Sequence, residues 1–412
     1  MGEVEMSDRF AAFRHSSYRR YFVSRFGGAL AGNVLAVSVA WQIYDETGDP
    51  FYLGLIGLVQ FLPSLVLVLV TGLAADMFGR RLIMGLSILL QCIGGLLLLA
   101  IVVTDRFDPA LVLGIVTLIG VARAFYSPAT NSLVVNLVPR DDFPNAVSWN
   151  ASSWQLATIL GPALGGVLAA ISLSLSYGAA AAISLATAAL IFTIPKPEQA
   201  RTEGRTTLST LFGGFAYIWR TKIVLGAISL DLFAVLLGGA VALLPVYAKD
   251  ILQIGEAGYG LLRSAPAIGA IAMVFVITSF EIKRHAGLIL FVFTALFGVM
   301  HVIFGYSTFV WLSVLSLVLI GAFDMISVYV RETLMQLWTP DNVRGRVNAV
   351  NAIFVGASNQ IGEARAGFMA ARWGAIFTVV AGGYTAIGVA AIWAMLFPGL
   401  RKVQNLNEGV EK

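Results

Sequence analysis

Twelve apolar runs, each about 20 residues long and so about the length that crosses a bilayer, follow one another along this chain and constrain it more than any other feature. Their cores lie near residues 22–44, 52–74, 82–104, 110–133, 147–171, 175–194, 223–247, 257–279, 286–306, 309–331, 347–370 and 374–398. Hydrocarbon offers backbone groups no partner, so spanning segments fold as helices or closed barrels, and runs of this length select helices. Composition agrees: 58% of the side chains are hydrophobic and 12% charged, against roughly half and a quarter in soluble proteins. The sequence therefore predicts an all-α membrane protein with twelve transmembrane helices.

The turns between runs are short, with one exception. Pro195 to Arg220 is polar and proline-marked (Pro195, Pro197, Glu198, Arg201, Glu203, Arg205). It reads as a cytoplasmic linker over 195–220 between six-helix bundles at 1–194 and 221–412, with a surface helix from Leu208 onward. The bundles echo each other at an offset of 201 residues: Gly120 meets Gly321, Pro139 meets Pro340, Asn150 meets Asn351, Gly161 meets Gly362 and Gly166 meets Gly367. Two pseudosymmetric six-helix repeats are the simplest account.

Orientation follows from Lys and Arg in alternate loops. Arg19, Arg20, Arg80, Arg81, Arg140, Lys196, Lys283, Arg284, Arg344 and Arg346 fall on the N-terminal side, whereas Arg106, Lys249 and Arg372 fall on the other. Both termini are thus expected in the cytoplasm. Met1 to Arg20 mixes Glu3, Glu5 and Asp8 with its bases and lacks a signal-peptide pattern. The net charge of +4 sits in short clusters at run ends, which sets topology and argues against a nucleic-acid partner. Cys92 is the single cysteine, so neither a disulfide nor a thiolate metal cage is expected. The expected partners are the lipid bilayer and a small molecule, with no metal and no cofactor, and the chain is expected to be a monomer.

Two motifs interrupt the apolar pattern. Between the second and third runs stands Gly72-Leu-Ala-Ala-Asp76-Met-Phe-Gly79-Arg80-Arg81, read as a polar turn that latches the membrane surface. Gly72 allows close helix approach, Asp76 suits a neighbouring helix N-terminus, Gly79 permits a reversal, and the arginines hold the face in the cytosol. The fifth run carries Gly161-Pro162-Ala-Leu-Gly165-Gly166: the proline removes a backbone donor and bends the helix, and the glycines admit a neighbouring backbone.

Ionisable residues inside apolar spans cost at least a few kcal/mol unless paired or hydrated, so they mark function. Here they are Arg123, Asp231, Arg263, Asp324, Glu363 and Arg365. Arg25, Arg331 and Glu332 lie toward helix ends, where charges reach water, and carry less weight. Arg123 and Asp324 share one repeat position, so they could pair across the cavity, or each be neutralised in its own half. Ser127 and Asn131 continue the Arg123 face; Asn33 and Trp41 share a stripe with Arg25; Asn359 and Gln360 lie one turn before Glu363. His301 is read as non-functional. No phosphate-binding loop, nucleophile elbow or zinc-helix motif occurs, so no enzyme is expected, and energy must come from an ion or substrate gradient.

The Gly72 to Arg81 spacing resembles the loop between helices two and three of major facilitator superfamily transporters, and Gly161 to Gly166 resembles the antiporter signature of that superfamily's exporters. Trp41-Gln-Ile-Tyr-Asp45, Gln60-Phe-Leu-Pro63, Gln336-Leu-Trp-Thr-Pro340, Arg344-Gly-Arg-Val-Asn348 and Ser358-Asn-Gln-Ile-Gly-Glu363 resemble the branch of macrolide efflux proteins and siderophore exporters. The loop Phe280-Glu-Ile-Lys-Arg284 lacks the latch glycines, so a second latch is degenerate. The resemblance implies a substrate cavity between the halves and a proton-coupled exporter of a siderophore-like or drug-like amphiphile, working by alternating access in a bacterial inner membrane. It also places Arg123 at an arginine assigned to proton transfer and His301 on a peripheral helix. A lysophospholipid or other amphiphile transporter, or a transporter-like ligand sensor, remains open at this point. The candidate proton carriers are Glu363, Asp324, Asp231 and Arg123. Glu363 leads, because Asp324 has a possible partner in Arg123 and the neighbours of Asp231 are less polar. The substrate-cavity candidates are Asn33, Trp41, Arg123, Ser127, Asn131, Arg263, Asp324 and Asn359.

Overall fold

The structure, a computed structural model, describes residues 9–196, 208–239, 241–280 and 284–406. The first helices are α1 (Ser16–Thr47), α2 (Pro50–Val66), α3 (Val68–Phe78), α4 (Arg80–Val103), α5 (Pro109–Leu133), α6 (Phe143–Ile171) and α7 (Leu173–Phe192). Next come α8 (Leu208–Arg220), α9 (Lys222–Gly238), α10 (Leu244–Val246), α11 (Gly255–Ser279), α12 (Ala286–Tyr306), α13 (Val310–Leu337), α14 (Asp341–Trp373), α15 (Ala375–Leu396) and α16 (Pro398–Arg401). Among the described residues, ten helical stretches are long and apolar enough to cross a membrane. The second span is completed by α2 with α3. The eleventh is α14, whose Arg344, Arg346, Glu363 and Arg365 lower its mean hydropathy although its 33 residues reach about 50 Å at 1.5 Å per residue. Twelve transmembrane segments result, as the apolar runs predict.

Among the described residues two spans are broken, and one turn between spans is tighter than its motif suggests. Pro63 sits inside α2, and the helix stops at Leu67 (φ −94°, ψ 2°) before α3 resumes. The short polar turn expected within 72–81 is a single residue: α3 runs through Phe78, Gly79 takes φ 90°, and α4 starts at Arg80. A side chain is strained at that φ, so glycine is required there. The seventh span ends α9 at Gly238 and continues through a 3-10 turn (Val241–Leu243), α10 and a π turn (Tyr247–Ile251). Gly238 and Gly239 stop the helix, and Pro245 denies the next turn one donor.

The chain divides into two compact units, the first comprising 1–46 and 59–202 and the second 47–58 and 203–412. In the first, Tyr18, Tyr21, Met84, Ile88, Leu133 and Ile191 are buried in one apolar cluster. Both phenols are satisfied there, Tyr18 donating to the Ala146 carbonyl (2.9 Å) and Tyr21 to that of Thr130 (3.0 Å), as buried hydroxyls require. The second unit packs Leu230, Ala234, Leu290, Phe291, Val330 and Leu334 together. There α8 seats its glycines on α14: a Cβ on Gly214 would stand 2.6 Å from the Arg346 carbonyl, and Tyr217 donates to the Trp338 carbonyl at 2.7 Å.

The repeat is visible in how each unit packs internally. A Cβ on Gly120 of α5 would lie 2.8 Å from the Gln60 carbonyl of α2, and one on Gly321 of α13 would overlap the Pro266 carbonyl of α11. Gly161 of α6 abuts Asn33 and Leu30 of α1, while Gly362 of α14 abuts Val235 and Leu236 of α9. Glycines paired by the 201-residue offset thus seat equivalent helices against equivalent backbones. Close backbone approach is what holds helices together where lipid removes the hydrophobic drive.

Candidate functional site

In the first unit, Arg25 and Ala29 of α1, Arg123, Tyr126, Ser127, Thr130 and Asn131 of α5, and Trp154 of α6 line a cavity of about 400 Å³. The i, i+4 and i+8 spacing of Arg123, Ser127 and Asn131 puts them on one face of α5, and Arg25 reaches Asn131 Oδ1 at 3.4 Å. Two guanidinium groups, three hydroxyls and two aromatic rings, with no acid among the lining residues, suit an anionic or hydrogen-bonding molecule with a flat apolar face. Asn33 is not among the lining residues: its amide bonds the Ala29 carbonyl at 2.9 Å, against Gly161. Trp41 is buried in α1 and is also not among them. Sequence reading missed Tyr126, Thr130 and Trp154; Thr130 lies on the Arg123 face at i+7, whereas Trp154 stands on another helix and left no periodic signal.

In the second unit, Asp231 of α9 is ion-paired with Arg331 of α13, their side chains 9% and 4% exposed. This corrects the reading of Arg331 as a helix-end residue. α13 runs on to Leu337, Arg331 is buried, and its partner stands 100 residues away in sequence. Glu332, beside it, accepts from Asn351 at 3.0 Å. Asp231 and Asp324 line one small cavity with Ala234, Val235, Thr294, Phe297 and Ser327. His301, one turn beyond Phe297, is buried and bonds the Phe297 carbonyl at 2.9 Å.

The α9 break is capped from neighbouring helices. Arg365 donates from Nε to the Leu236 carbonyl (2.9 Å), and Thr385 donates to that of Leu237 (3.2 Å). A cation at a helix C-terminus meets both the freed carbonyls and the negative dipole end. Glu363 packs against Gly57, where a Cβ would stand 3.4 Å from its Oε2. Tyr259 of α11 is buried and lies within electrostatic reach of both Arg263 and Glu363. Asn359 is exposed and bonds its own helix at Val355 (2.8 Å).

At the first motif, Arg80 donates to the Ser132 carbonyl and to Asn136 Oδ1, both at 2.9 Å, and Arg81 to the Ile194 carbonyl at 2.5 Å. The arginines therefore tie the start of α4 to the last turn of α5 and to the chain just beyond α5 and α7. The side chain of Asp76 and the surroundings of Gly72 lie outside the described residues, as does Glu281 to Lys283 of the degenerate loop. In the second motif Gly161, Pro162, Gly165 and Gly166 are buried in α6. A Cβ on Gly165 would meet Val34 Cα at 3.1 Å and its carbonyl at 3.3 Å. Replacing Gly165 by leucine should therefore force α6 from α1 and lower transport severalfold while the protein still inserts. Wild-type turnover in vesicles at equal membrane abundance would show that this contact is dispensable.

A family model described as transmembrane secretion effector matches residues 7–409. The chain belongs to that family of major facilitator superfamily transporters. The enterobactin exporter EntS of Shigella boydii is 25% identical over 406 residues, covering 94% of this chain and 93% of the exporter. That of Salmonella typhimurium is 26% identical over 393 residues, covering 89% and 88%. Solved structures share the fold: a POT family transporter with 5-aminolevulinic acid (TM-score 0.73, 13% identity, covering 94% of this chain and 97% of that one), and the xylose transporter XylE of E. coli (0.70, 14%, 96% and 99%). The transporter is a multi-pass membrane protein whose relatives move small molecules.

Proposed function

We propose that this transporter is a proton-coupled exporter of the bacterial inner membrane, with both termini cytoplasmic, and that its cargo is a siderophore-like or amphiphilic small molecule. The observation that most supports coupling is the gathering of Asp231, Arg331 and Asp324 within membrane-spanning helices of one unit. Such groups are too costly in a bilayer to persist as packing alone. Export draws support from whole-length similarity to enterobactin exporters and from the Gly161 to Gly166 motif. The arginine-lined cavity of the first unit fits an acidic or polyhydroxy aromatic cargo.

Inverted membrane vesicles with an acid interior test this reading, with metal-free enterobactin as the probe. Vesicles carrying the protein should accumulate the probe above control vesicles, and a protonophore should abolish the difference. Accumulation indifferent to the gradient would remove proton coupling. A strain lacking the protein that fails to take up a nutrient, with no defect in release, would reverse the direction.

A further inference from the structure

Two carboxyl groups line one small cavity of the second unit, and their surroundings differ. Asp231 has a buried cation, Arg331. Asp324 precedes Arg331 by two helical turns on α13, on the same face. It shares the cavity with Thr294, Phe297 and Ser327, in a space with room for about one water. Among the described residues no ion pair or hydrogen bond holds Asp324. Of the helices packed on α13, α9 contributes Asp231 to this cavity and α12 contributes Thr294 and Phe297, with His301 turned to a backbone carbonyl. The ionisable groups of α11, among them Glu256, Tyr259 and Arg263, are not in the cavity lining, nor are Arg331 and Glu332 of α13 itself.

We propose that Arg331 is a positioning residue that fixes Asp231 as a standing anion, so that Asp324 is the group that takes and releases the coupling proton. A carboxylate held by a cation stays ionised; a carboxylate beside that pair, with water at hand, is the one whose charge changes. A hydronium ion in the cavity gives its proton to a carboxylate oxygen of Asp324 and leaves water, and release reverses the step. The inference rests on the proton-antiport reading and narrows it to one group, in place of Glu363.

The test uses purified full-length protein in liposomes with metal-free enterobactin. Asp324→Asn should keep exchange of the probe within about twofold of wild type and lose gradient-driven accumulation by about tenfold or more, the factor that a gradient of one pH unit supplies in one-for-one exchange, while Glu363→Gln keeps both. Arg331→Gln leaves Asp231 competing for the proton and should displace the pH of half-maximal gradient-driven transport, with Arg331→Lys restoring it. Asp231→Asn/Arg331→Gln, which removes both charges, should keep the wild-type profile. An infrared difference titration needs no cargo: subtracting the Asp324→Asn spectra from those of wild type cancels the other carboxyls, and should leave one protonated-carboxyl band that grows as pH falls. A band that survives in Asp324→Asn and vanishes in Glu363→Gln or Asp231→Asn overturns the assignment, as does gradient-driven transport by Asp324→Asn. Wild-type liposomes indifferent to the gradient would instead overturn the antiport reading, and the infrared band would still decide which carboxyl titrates.

Discussion

Replacing Asp231 by asparagine should cost this transporter about 3–5 kcal/mol, the usual loss when one member of a buried ion pair is removed. The physical reason is Arg331. Its side chain is 4% exposed and paired to Asp231, so neutralising the aspartate strands a cation among apolar helices. Arg331→Gln should also destabilise, because the aspartate left behind must take up a proton to stay buried. The double substitution should recover most of the loss, because desolvating the pair offsets much of its mutual attraction. Thermal unfolding of the detergent-purified protein measures all three, and coupling between the sites is the deviation from additivity. If Asp231→Asn melts with wild type, the pair is not holding α9 to α13.

Gly321→Leu should yield little or no folded protein. A Cβ at this position overlaps the Pro266 carbonyl, with the Pro266 Cα 2.7 Å away. These are backbone atoms, which no rotamer change can move aside, so the cost should exceed the ~1–3 kcal/mol of ordinary overpacking as α11 and α13 are driven apart. Gly388, on α15, is the control: nothing stands within 4 Å of a Cβ there, and leucine should be accepted. Membrane abundance and the monodisperse fraction on gel filtration report the outcome. Folded Gly321→Leu at wild-type abundance would show that the crossing is looser than described.

The twelve segments were legible because a bilayer imposes length and apolarity on every spanning helix, and local composition is enough to reveal both. The repeat was legible for a similar reason: Gly120 and Gly321, or Gly161 and Gly362, mark places where backbones touch, and only glycine fits. The Arg123, Ser127 and Asn131 face was readable too, since all three stand on one helix at helical spacing and do line one cavity. The requirement for glycine at 79 was written in the sequence, but the extent of its turn was not. Residues 72–78 carry enough helix-compatible side chains to continue α3 until the one position where φ is positive.

What the sequence could not supply was partnership between helices. Asp231 has no base within a turn, and Arg331 looked like a charge near a span's end. Their pairing exists because α9 and α13 cross where they do. The same holds for Arg365, two positions from Glu363 yet directed to the Leu236 carbonyl of a broken helix, and for Trp154, which joins the first cavity from α6. Periodicity reports which residues share one helix face; which face meets which is decided by packing among helices distant in sequence, and that information is tertiary.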